Sequence, residues 1–97
     1  MGIFFCLDRK LGPPQWADLG MYMQNVMLLA VEQGLDTCPQ EYWARYPKTI
    51  AEFLSLPEEL MVFSGMALGW RDPDAPINTL VASRDPFEVW GEMSGFD

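Results

Sequence analysis

Residues 16–41, WADLGMYMQNVMLLAVEQGLDTCPQE, decide how the rest of the chain is read. Up to Gln33 the apolar spacing is helical. Trp16, Leu19, Met23, Met27 and Ala30 form one stripe, and Tyr22, Val26, Leu29 and Val31 fill its neighbours. Pro13 and Pro14 suit a first turn, where the missing N–H has no partner to lose. Gly34 suits the left-handed position just past a last turn. A helix is therefore expected over residues 15–33. Its second half, VMLLAV, leaves almost no polar face, and a helix apolar on most sides is surrounded by protein. At about 1.5 Å per residue it is roughly 28 Å long, more than so short a chain can enclose alone. The expectation is a central helix at a homodimer interface, with Gln24 and Asn25 in need of polar partners.

The stretch after Gly34 has three readings: a reactive thiol, a ligand-binding turn, or a plain helix end. A catalytic Cys38 needs a base or cation to lower its pKa, and the chain has no histidine. Cys38 is read as a small buried residue in a turn. Pro39 biases Cys38 toward an extended conformation, so Leu35 to Cys38 run extended and Pro39 to Glu41 form a new turn. The N–H groups of Gln40 and Glu41 would open a short helix and be free to donate, either to water or to an electron-rich ring atom or anion.

Composition narrows the alternatives. Ninety-seven residues, 49% hydrophobic, with four tryptophans, six phenylalanines and seven methionines, make one globular domain over 1–97 with much bulky apolar surface to hide. A net charge of −8 argues against nucleic acid as a partner. The six cations are Arg9, Lys10, Arg45, Lys48, Arg71 and Arg84, so any bound phosphate falls to one of these or to backbone N–H groups. Two cysteines without histidine leave no zinc spacing and no Ser-His-Asp or Cys-His pair, so no catalytic side chain and no metal ligand is assigned. The carboxylate pairs Asp36/Glu41, Glu58/Glu59 and Asp72/Asp74 lack the spacing of a calcium loop and read as solvated charges. No apolar run spans a bilayer, and IFFCL lacks a basic leader. A cytoplasmic protein with reduced thiols is expected.

Around the decisive stretch, GIFFCLD (2–8) reads as a buried strand, TIAE (49–52) as a capping box opening a helix through Leu56, and ELMVFSGMALGW (59–70) as a strand. Gly65 and Gly69 in that strand mark a bulge or a close backbone approach. RDPDAPIN (71–78) is loop and TLVAS (79–83) a short extended piece. DPFE (85–88) opens a second short helix, with Asp85 as cap and Pro86 first, before the tail MSGFD.

Taken in order, these pieces resemble the C-terminal half of the flavin-dependent nitroreductase family: an apolar strand (3–8), the long helix running into GLDTCPQE, then LSLPEEL, MVFSGMALGW and SRDPFEVW with a terminal GF. The resemblance implies an α+β half-domain, a long central helix packed with short strands. It implies FMN as cofactor and electron transfer from NAD(P)H to a nitroaromatic or quinone. Carried over by position, Pro39, Gln40 and Glu41 line the flavin, with a backbone N–H near the ring nitrogen that accepts hydride. Arg84 binds the phosphate, and Gln24 is a weaker candidate. Without the resemblance, Arg84 reads as a surface ion pair with Asp85 or Glu88. Family members are about twice as long and build each flavin site from both subunits of a dimer. The half that carries their arginine- and serine-rich phosphate motif has no counterpart here. A second reading follows: a non-catalytic, truncated relative that serves as a dimerisation or interaction unit without flavin.

Overall fold

The structure, a computed structural model, describes residues 1–96; Asp97, the end of the expected tail, lies outside the described residues. Three strands form one antiparallel sheet in the order β1-β3-β2: β1 is Gly2–Asp8, β2 Asp36–Gln40 and β3 Leu60–Gly69. Helix α1 (Pro13–Glu32) joins β1 to β2. A 3-10 helix (Glu41–Arg45) and α2 (Pro47–Leu54) join β2 to β3. Beyond β3 come a 3-10 turn (Pro76–Thr79) and the single-turn helix α3 (Phe87–Trp90).

The long helix forms where its pattern places it and starts two residues earlier, with Pro13 and Pro14 in the first turn. The Gln15 side chain accepts from the Gly12 N–H at 3.3 Å, half of a capping box, since glycine has no side chain to return the bond. At the other end Gly34 takes φ +70°. Its N–H donates to Val31 O at 3.0 Å and that of Leu35 to Ala30 O at 2.9 Å, the paired bonds of a Schellman ending.

The pleat sorts the sheet into two faces. Phe5 and Met66 bury themselves against Met23 of α1, with Ile3, Leu19, Val26, Met27 and Phe63 packed around them. The opposite face carries Phe4 across from Gly65 and Cys6 across from Val62; there the Trp43 ring packs edge-on to Phe4 at 5.8 Å. The ladder slips between Phe5 and Cys6, whose partners are Ser64 and Val62, leaving Phe63 as the bulged residue. The irregularity thus falls at Phe63, while Gly65 serves close approach: a Cβ there would lie 2.4 Å from Trp43 Cδ1. Ser64, fully buried, is satisfied by donating to Gly65 O at 3.1 Å.

Four local expectations are corrected. Helix α2 begins at Pro47 with Tyr46 before it, so Thr49 lies inside the helix and no capping box forms. Proline at the first position outranks the Thr49 signal because its fixed φ already matches the helix. Asp85 does not cap α3, whose preceding residue is Pro86 and which makes no side-chain cap bond. The extended piece expected over 79–83 begins later: Thr79 closes the 3-10 turn, and Leu80 after it has extended φ and ψ. The turn expected over Pro39–Glu41 also moves: Pro39 and Gln40 are still in β2, opposite Met66 and Gly65, and only Glu41 starts the 3-10 helix. An edge strand tolerates Pro39 because a missing N–H facing outward breaks no ladder bond.

Within the chain alone, α1 covers the sheet with one stripe and leaves Met21, Tyr22, Leu28, Leu29 and Val31 exposed. Gln24 and Asn25 are exposed too, so the single chain buries neither amide. Residues from Trp70 onward form an arm. Trp70 is 85% exposed and Val81 90%, and Ile77, Leu80, Val89, Trp90 and Phe96 are also open. The radius of gyration, 17.1 Å, compares with about 13 Å for a compact domain of this length. Among the described residues no helix is long and apolar enough to cross a membrane.

Candidate functional site

Residues 39–45 leave the edge of the sheet and cross the face opposite α1. Pro39 and Glu41 are exposed and Gln40 half-buried. The Gln40 side chain is engaged: its Oε1 accepts from the Trp43 indole N–H at 2.9 Å. Next along, Tyr42 and Tyr46 sit edge to face at 5.6 Å, their hydroxyls 3.1 Å apart. That shared hydrogen bond pushes the Tyr46 phenol above its usual pKa. The Arg45 guanidinium lies 5.4 Å from the Tyr42 ring centre. The segment therefore offers an exposed, partly aromatic surface beside an acidic residue and a free strand edge.

Arg84 lies on the arm. Its guanidinium donates to the carbonyls of Ser83, at 3.0 Å, and Ala82, at 3.4 Å, and bonds neither Asp85 nor Glu88. The ion pair among the described residues is Arg71–Asp36 at 2.8 Å, which ties the root of the arm to the start of β2. So Pro39, Gln40 and Glu41 are contiguous, and no hydrogen bond among the described residues joins Arg84 to them. Gln24 is exposed on α1. A groove of about 200 Å³ at the other end of β2 is lined by Thr37, Cys38, Ala67, Arg71 and Asn78 among others. It is smaller than the roughly 300–1,000 Å³ of ordinary cofactor sites. Pro39 and Glu41 form an open surface, and neither is among the residues lining that groove.

Sequence reasoning missed Trp43, Tyr42 and Tyr46 in this layer. The signal was present as the aromatic spacing of EYWARY directly after Gln40. Both cysteines are free: Cys38, expected to be buried in a turn, is instead exposed on the edge strand β2, whereas Cys6 is half-buried and burial pushes its thiol up. With iodoacetamide at neutral pH, Cys38 is expected to alkylate at least about tenfold faster than Cys6, because Cys38 is exposed while burial both shields the Cys6 thiol and raises its pKa. Equal rates by peptide mass spectrometry would contradict the burial of Cys6. No group of three or more Cys, Asp or Glu among the described residues is arranged to hold a metal ion.

An antiparallel sheet with a long helix on one face, a 3-10 and short-helix layer on the other, and an open segment leading off the edge strand defines an α+β fold of nitroreductase type. The chain belongs to the nitroreductase family, whose family model matches residues 9–70. It is 36% identical over its whole length to a 4-nitrobenzoate reductase of Pseudomonas putida, covering 43% of that protein. It is 40% identical over 91 residues to a chloronitrobenzene nitroreductase of Comamonas testosteroni, covering 39% of it. Among solved structures, the FMN and NADPH-dependent nitroreductase NfnB of Sphigopyxis sp. strain HMH superposes with a TM-score of 0.93 at 44% identity, over 98% of this chain and 43% of that one. The FMN-dependent NfnB of Mycobacterium smegmatis, in complex with NADPH, shares the fold at 22% identity and a TM-score of 0.90. The chain spans about two fifths of the length of these curated relatives.

Proposed function

We propose that these 97 residues act as one unit, contributing part of an FMN site in a nitroreductase that moves electrons from NAD(P)H to a nitroaromatic or quinone acceptor. The observation that carries the reading is the exposed 39–41 segment at the sheet edge, within a chain so similar to nitroreductases along its whole length. When bound, FMN supplies the redox chemistry, and the protein supplies binding and orientation. Pro39 and Glu41 offer an exposed surface for one side of the ring, and Gln40 sets the position of that surface. Arg84 is the phosphate ligand: among the described residues its guanidinium bonds local carbonyls, through Nη1, leaving further N–H donors for a bidentate contact.

A homodimer through α1 is part of this reading. Exposed Met21, Leu28, Leu29 and Val31 on α1, and the apolar arm, support it. In such a dimer the arm of one chain brings its Arg84 to the 39–41 segment of the other. A reducing, cytoplasmic setting accords with two free thiols. The alternative, a dimerisation or interaction unit without flavin, is favoured by the openness of the site in the single chain.

Visible absorption of the purified chain, with and without added FMN, separates the two. Bound FMN gives a yellow protein with a shifted flavin spectrum; a chain that stays colourless and leaves micromolar FMN free would sink the oxidoreductase reading for this chain. Arg84→Ala is expected to weaken FMN by about 10–100-fold, the loss of one charge-assisted contact of about 1.5–3 kcal/mol. Unchanged affinity removes Arg84 from the site.

A further inference from the structure

We propose that Trp43 is a positioning residue for the 39–41 segment, holding it through a clip made of Gln40, Gly65 and Phe4. The proposal deepens the reading above and rests on it in one respect, that residues 39–41 line the flavin.

Three independent contacts fix the Trp43 indole. Its N–H donates to Gln40 Oε1 at 2.9 Å. Its five-membered ring lies over the Cα of Gly65, where even a methyl group would meet Cδ1 at 2.4 Å and Cγ at 3.1 Å. It packs T-shaped against Phe4, ring centres 5.8 Å apart at 77°. Phe4, Gly65 and Gln40 form one row across β1, β3 and β2, because Phe4 pairs with Gly65 and Gly65 with Gln40. The indole thus bridges all three strands on a single row and returns a hydrogen bond to the residue where the chain leaves the sheet. Trp43 itself is 41% exposed, so hydrophobic burial alone does not account for its placement.

Gln40 follows Pro39, which donates no ladder bond, and β2 is an edge strand with one neighbour. The end of β2 therefore has few backbone restraints of its own. The Trp43–Gln40 bond supplies a side-chain restraint at that point, and Gly65 is the notch that lets the indole reach it. This assigns a role to Gly65 that a strand interior does not otherwise ask of glycine.

The test uses Trp43→Phe, which keeps a ring over Gly65 and removes the donor, Gln40→Met, which keeps the shape and removes the acceptor, and the double variant. The first readout is amide hydrogen exchange by NMR in the FMN-free 97-residue chain. Either single variant should exchange the amides of Gln40, paired with Gly65, and Trp43, inside the 3-10 helix, at least about tenfold faster, with Phe5 and Met66 unchanged, and the double variant should be no faster than the singles. Unchanged exchange at Gln40 and Trp43 overturns the clip. The second readout is FMN affinity, expected to fall at least about tenfold in each single variant without further loss in the double. Faster exchange with wild-type FMN affinity overturns the positioning role while the flavin reading stands. If the wild-type chain binds no FMN, the flavin reading fails and the positioning role falls with it, leaving the exchange data to describe a purely structural clip.

Discussion

Met66→Ala is expected to lower stability by about 2–5 kcal/mol, enough to unfold much of the population at room temperature. Met66 stands at the middle of the central strand with 1% of its surface exposed, against Phe5 and Met23. The buried apolar residues among those described are only Phe5, Met23, Ala30, Ile50, Val62 and Met66. Removing the most enclosed of them opens a cavity in a layer only one helix thick, and little neighbouring side-chain mass can collapse into it. Loss of the near-ultraviolet signal and a lower urea midpoint would report it. Val81→Ala on the arm, by contrast, should change the stability of the isolated chain by no more than about 0.5 kcal/mol, since Val81 is 90% exposed. A cost below about 1 kcal/mol for Met66→Ala would show that the sheet centre is not where the core is held.

How much of this was legible depends on whether a signal is local. The helix and its end were, because α1 is written in apolar spacing and Gly34 is the one residue there that takes φ +70° without strain. The strand boundaries of β1 and β3 were legible for the same reason. The start of α2 was not, because Pro47 and Thr49 are both credible helix-start residues two positions apart, and the fixed φ of Pro47 prevailed over the side-chain cap that Thr49 could have made. The end of β2 was misplaced by two residues because pairing with Gly65 and Met66, nearly thirty residues away, extends a strand that proline would locally discourage. The glycine in β3 was read as either bulge or close approach; the choice depended on Trp43, whose contact is tertiary. For the proposed site, residues 39–41 were suggested by the sequence as one contiguous piece, whereas Trp43, proposed as their support, was not. Nothing in the spacing of EYWARY tells which ring turns back onto the sheet.

Leu28→Glu is expected to separate the proposed dimer, weakening self-association by at least about 100-fold, or about 2.7 kcal/mol. Leu28 is 59% exposed in the single chain, on the side of α1 turned away from Met66, near Met21 and Val31. If that side faces water, a glutamate there is close to neutral, because surface substitutions rarely exceed about 0.5 kcal/mol and glutamate is a good helix former. If it faces the same helix of a second chain, symmetry brings two unpaired charges into one apolar contact, and desolvation and repulsion add. Sedimentation velocity distinguishes the cases: wild type should run as a dimer at micromolar concentration and the variant as a monomer with unchanged helical circular dichroism. A wild-type monomer would remove the dimer reading at once. The same variant tests the shared site. Leu28 is not among the proposed flavin ligands, yet if Arg84 reaches residues 39–41 only from the other chain, Leu28→Glu should lower FMN affinity, and raising the protein concentration should restore it. By linkage, FMN would in turn strengthen the wild-type dimer, since a ligand held by two chains stabilises their association. FMN affinity indifferent to both Leu28→Glu and concentration would place the whole site within one chain and require Arg84 to fold back across its own sheet.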